Sequence, residues 1–171
     1  MVYIVTGGRD RGKTATMAAL YEKSGRGDGI ITAKVFNDGQ CAGYELVRLS
    51  TRARVPLAVR ADAVEAGWDE CCRQGRYSFS KRAFAYATDA FEEMLARKEI
   101  PIFIDEVGPL ELAGGGFASV ANVLAHVDEV YIAVRDTYFT RVIERYGVGT
   151  YRVIPAGDSG DFAHHTGGLH D

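Results

Sequence analysis

Lys13 and Thr14 close an eight-residue run, Gly7-Gly8-Arg9-Asp10-Arg11-Gly12-Lys13-Thr14, that fits G-x-x-x-x-G-K-[ST] directly behind an apolar segment, Met1 to Thr6. This Walker A spacing cradles the phosphates of a nucleotide. Glycine reaches backbone conformations closed to other residues, so consecutive N–H groups can turn around an anion, and a helix starting at the lysine adds its positive end. On this reading Gly7, Gly8, Arg9, Asp10, Arg11, Gly12, Lys13, Thr14 and Ala15 bind the phosphates. Lys13 supplies a point charge for the β- and γ-phosphates, and the Thr14 hydroxyl is a magnesium ligand.

A second constellation follows some ninety residues later. Ile100-Pro101-Ile102-Phe103-Ile104-Asp105 is an apolar run that ends in acid, with Glu106 next. Phosphoryl transfer needs phosphate positioning, a metal that offsets charge and a group that orients the nucleophile. Asp105, in the Walker B position, would hold the magnesium shell opposite Thr14, and Glu106 would act as general base toward a water. The second carboxylate favours hydrolysis over transfer to a bound acceptor, which gains nothing from an activated water. Charge developing on the γ-phosphate calls for an arginine: Arg135 at the end of a strand comes first, then Arg9 and Arg11, then Arg141. The catalytic set is therefore Glu106, Lys13 and Arg135, with Thr14 and Asp105 on the metal. Asp105 to Gly108 also spells D-x-x-G, but no N-K-x-D or T-K-x-D segment follows to read guanine. Base selectivity is expected to be loose across ATP, GTP and other triphosphates, with Tyr77, Tyr138 and Tyr151 as candidate stackers.

The elements that must position these groups alternate between short apolar runs and helical patterns, as in βαβ units around a largely parallel sheet. A helix follows Thr14 toward Gly25. Asp28 to Phe36 and Gln40 to Leu49 read as strands joined by Asn37-Asp38-Gly39, a hairpin insertion. A short helix is expected over 62–72 and a long one over 81–98, where Phe84, Ala87, Phe91, Met94 and Leu95 recur at helical spacing. Gly114-Gly115-Gly116 breaks the chain before a helix over 117–126. A strand over 129–135, a helix over 137–146 and a strand over 151–154 follow. The expected fold is α/β with three layers, one domain over 1–156 and a flexible tail over 157–171 carrying His164, His165 and His170.

Composition bounds the partners. The chain has 171 residues, 47% hydrophobic and 25% charged, with a net charge of −3. One domain of that size buries about 70% of its unfolded surface. The net charge offers no bulk attraction to nucleic acid or an anionic membrane, so any positive site is local. The opening segment lacks a charged n-region and cleavage site, and no run reaches about 18 apolar residues, so the chain reads as cytoplasmic. Cys41, Cys71 and Cys72 have no zinc spacing and read as reduced thiols.

The run Gly7 to Thr14, Gly29-Ile30-Ile31-Thr32 ahead of the hairpin, Gly75-Arg76-Tyr77-Ser78 ahead of a helix, and Ile104 to Leu112 together resemble the THEP1-type nucleoside-triphosphatases. In that family the acidic segment reads D-E-[IV]-G-x-[ML]-E, and Asp105, Glu106, Gly108 and Glu111 match it. The resemblance implies a RecA-like P-loop fold and slow magnesium-dependent hydrolysis of several nucleoside triphosphates. The chain departs from the family in two places: Arg9, Asp10 and Arg11 replace small residues and glycine in the loop, and Ala33, Lys34 and Val35 stand where an acid and an arginine are common. Two further readings stay open. In one, a small-molecule kinase, the 40–60 insertion holds an acceptor. In the other, a nucleotide-gated module, the hairpin changes partner affinity with little turnover.

Overall fold

A computed structural model describes residues 1–117 and 119–157. The expected histidines of the tail lie outside the described residues. In chain order the elements are β1 (Val2–Gly7), α1 (Lys13–Ser24), β2 (Asp28–Asn37), β3 (Gln40–Arg48), β4 (Arg54–Arg60), β5 (Glu70–Gln74), β6 (Tyr77–Ser80), α2 (Lys81–Ala96), β7 (Ile102–Val107), α3 (Pro109–Leu112), α4 (Val120–His126), β8 (Val130–Arg135), α5 (Phe139–Tyr146) and β9 (Tyr151–Pro155). The strands form one nine-stranded sheet in the order β5-β6-β4-β3-β2-β7-β8-β1-β9.

From β2 to β9 every neighbouring pair is parallel. Strands buried on both faces read as continuous apolar runs, as 102–104 and 130–134 do. One face packs beneath α1, where Val5, Met17, Leu20, Phe103, Ala133 and Ile154 form a cluster. On that face Tyr3, Tyr131 and Phe103 stand in register across β1, β8 and β7 and stack at 4.5 and 4.7 Å between centroids. The opposite face carries α2, α4 and α5 over Ile4, Ile30, Ile102, Ile104 and Ile132. The expected aromatic stripe of α2 splits here: Phe91 and Met94 are fully buried, while Phe84 is partly exposed.

The hairpin is present and belongs to something larger. Asp38 and Gly39 both take positive φ (48° and 73°), the geometry a two-residue turn between twisted strands requires. Beyond β3 the antiparallel pairing continues through β4, β6 and β5, so four strands extend the parallel sheet. The helix expected over 62–72 is absent. A single 3-10 turn spans Ala61–Ala63, and Glu70–Gln74 is a strand. Gly67 at φ 88° interrupts the helical stretch, and the turn at Gly75 lets β6 pair with residues whose own propensity is weak.

An ion cluster ties the extension to α2. Arg48 donates to Asp28 Oδ2 at 2.7 Å through Nε and to Glu93 Oε2 at 2.6 Å through Nη1. Asp28, 2% exposed, also accepts the N–H groups of Gly29 and Ser50. The register of β2, and hence the place of Thr32, is thereby fixed. Among the described residues no helix is long and apolar enough to cross a membrane.

Candidate active site

The loop between β1 and α1 and the C-terminal end of β7 open on the same edge of the sheet, because their strands run parallel. Gly12 takes φ 83° at the N-cap of α1, a conformation that favours glycine and turns the chain into the helix without a side-chain cap. Lys13 is 4% exposed and folds back on the loop, its ammonium 2.8 Å from the Gly8 carbonyl and 3.2 Å from that of Gly7.

Ladder register explains how two adjacent acids come to serve one site. β7 pairs with β8 at Ile104–Ile132 and again at Val107–Val134, so Asp105 and Glu106 together oppose the single Ala133. This is a β-bulge, and its second residue, Glu106, adopts φ 59°, strained for a residue with a side chain. Asp105 is 1% exposed, while the Glu106 carboxylate reaches a cavity. Asp105 Oδ2 accepts the Thr14 hydroxyl at 2.6 Å and the Thr32 N–H at 3.0 Å; Oδ1 accepts the Glu106 N–H at 3.0 Å. Burial, then the charge of Glu106, push the Asp105 carboxyl up to about 6 despite these donors. Arg135 Nη2 lies 3.4 Å from Glu106 Oε2.

Glu111 organises the segment behind the acids. It is 5% exposed and accepts the N–H of Gly108 at 2.8 Å and that of Phe117 at 3.1 Å, one on each oxygen. Burial raises its pKa. Gly116 sits at φ 57° against this carboxylate, and a Cβ there would collide with Glu111 Oε1.

The cavity measures about 870 Å³, and its lining includes Arg9 to Ala15, Thr32, Lys34, Glu106 and Arg135. Of the candidate stackers, Tyr77 and Tyr138 line it. Tyr151 does not, packing edge-on against Phe139 instead. Arg141 lies elsewhere, beside Glu144 and Arg145. Sequence reasoning missed two contacts. The Thr32 N–H on Asp105 is invisible in a side-chain pattern. Lys34 pairs with Asp10 at 2.6 Å, holding that carboxyl below its usual range, with Arg9 a more distant 3.9 Å away. The two departures from the family pattern thus meet, and the negative charge in the loop is offset by the lysine on β2.

Thr14 and Asp105 offer hard oxygen donors 2.6 Å apart, with one carboxylate between them. Magnesium is commonly held by one or two carboxylates together with substrate phosphates, so the residues present fit that ion. Among the described residues no group of three or more His, Cys, Asp or Glu could hold a metal.

A glycine-and-lysine loop at the start of α1, facing an acidic pair on a parallel strand two places away across the sheet, defines a P-loop α/β protein. The NTPase family model matches residues 2–155, and the chain belongs to that family. Two solved structures have the same fold. A human cancer-related nucleoside triphosphatase superposes with TM-score 0.63 at 24% identity, covering 90% of this chain and 87% of its own. THEP1 from Aquifex aeolicus superposes with TM-score 0.67 at 20% identity, covering 92% and 91%. No curated protein matches the chain.

Proposed function

We propose that the chain hydrolyses nucleoside triphosphates to diphosphate and phosphate, with magnesium and with little discrimination among bases. The observation that carries this reading is the 2.6 Å contact from Thr14 to Asp105 beside a Glu106 that faces the same cavity. Loop N–H groups and the Lys13 ammonium, once it exchanges the Gly7 and Gly8 carbonyls for phosphate oxygens, hold the β- and γ-phosphates. Magnesium, held by Thr14 and Asp105 with the phosphates, would offset negative charge on the reacting oxygens. Glu106 takes the proton of a water as its oxygen bonds to the γ-phosphorus, and the bond to the bridging oxygen breaks with its electron pair leaving on the diphosphate. Arg135, now against Glu106, turns toward the γ-phosphate, and that exchange frees the base. Loose base selectivity is supported by the lack of a guanine-reading segment.

Phosphate release from ATP and GTP tests the reading. Glu106→Gln is expected to lower kcat by about 10²–10⁴-fold while leaving binding of the nonhydrolysable AMP-PNP within a few-fold, as a general base requires. Arg135→Ala is expected to lower kcat by about 10³-fold, as a transition-state cation requires. Turnover of Glu106→Gln at the parent rate would refute the base assignment.

A further inference from the structure

The cavity's lining includes more than a triphosphate site needs. Besides the loop and Glu106 its lining includes an aromatic chamber, Tyr44, Leu57, Tyr77 and Phe79 of the antiparallel extension with Phe84 and Phe117. These side chains brace one another. Tyr44 meets Tyr77 edge-on at 5.1 Å, Phe79 stacks on Phe84 at 6.2 Å, and Phe84 meets Phe117 edge-on at 5.9 Å. Small-molecule sites have this composition, apolar walls with a few placed polar groups in roughly 300–1,000 Å³. The phosphates alone have no use for it.

Polarity of the loop places the chamber. Backbone N–H groups cradle the α- and β-phosphates, the lysine reaches β and γ, and the acids stand beyond γ. In the sheet order the strand of Glu106, β7, stands between β1, which leads into the loop, and the strands β3, β4 and β6 that carry Tyr44, Leu57, Tyr77 and Phe79, so the chamber is assigned to the γ-phosphate side rather than the nucleoside side. Arg76, exposed on the turn between β5 and β6, lines the same cavity, with its guanidinium 5.6 Å from the centre of the Tyr77 ring. Among the described residues Arg76 forms no salt bridge. The nearby Asp62, whose charge it feels, is already held by Arg60 through two hydrogen bonds of 2.9 and 2.5 Å. The cation is available to a ligand.

We propose that this chamber is a second small-molecule site, which holds a flat aromatic anion beside the γ-phosphate end while a nucleotide is bound, with Arg76 meeting the anionic group. The inference rests on the hydrolase reading of the loop. An occupant stands between Glu106 and bulk water, so it controls whether the base finds a water. The same placement suits an acceptor hydroxyl.

The dye 1-anilinonaphthalene-8-sulfonate, an aromatic anion, serves as the probe. One dye per chain is expected to bind in the presence of saturating AMP-PNP and magnesium, and Arg76→Glu is expected to weaken it at least about tenfold while ATP turnover stays within about twofold. The dye is expected to lower kcat for ATP with KM unchanged. Competitive displacement of the dye by AMP-PNP would make the chamber a base pocket and overturn the proposal alone. Equal dye affinity in Arg76→Glu would overturn it too, as binding elsewhere. AMP-PNP that fails to bind at all by calorimetry would instead sink the hydrolase reading, and this inference with it.

Discussion

Asp105 should make the metal-free protein less stable as pH rises, an unusual direction for a carboxylate. Its folded-state value of about 6 lies above the 3.8 it regains on unfolding, because the buried site and the neighbouring Glu106 charge both disfavour the anion. The folded state therefore holds the proton more tightly. This contribution is present in full below about pH 4, decays as pH rises toward 6, and is gone above about pH 7. The shift is about 2 pH units, which at 1.36 kcal/mol per unit amounts to about 3 kcal/mol. Asp105→Asn lacks the titration but shares every other group. The two proteins are to be unfolded in urea with a chelator present, at half-unit steps between about pH 4 and 8. The parent's stability minus the variant's is expected to fall by about 3 kcal/mol across that window. A difference flat to within about 0.5 kcal/mol would show that the site does not penalise the charge, and would refute the reasoning. Adding magnesium and AMP-PNP, which favour the anion, is expected to stabilise the parent more than the variant.

Arg48→Met is expected to cost about 3–5 kcal/mol in urea unfolding, since it strands the buried Asp28 charge, and Asp28→Asn in the same chain is expected to restore part of the loss. Gly116→Ala should lower stability by at least about 2 kcal/mol, read as a lower Tm, because it adds left-handed strain and evicts the Glu111 carboxylate from two backbone donors.

The parallel half of the sheet and the acid pair were legible because each is written locally. A lysine loop between strand and helix, and an apolar run ending in acid, are fixed by strand burial and glycine chemistry over a few residues. The antiparallel extension past β3 was not. β5 has mostly exposed residues and no alternation, and its strand conformation comes from pairing with β6, a contact no short window contains. The chamber was hidden for a related reason. Tyr44, Leu57, Phe84 and Phe117 come from four separate elements or loops, and each alone reads as ordinary core. The pairing of Asp10 with Lys34 spans twenty-four positions; both residues stood out as departures, yet nothing in the sequence joined them.

The surplus residue in β7 separates two duties within one strand. Because the ladder resumes at Val107 in step with its neighbour, β7 and β8 stay paired on both sides of the bulge. A substitution at Glu106 meets the cavity, whereas one at Asp105 reaches β2 through the Thr32 N–H.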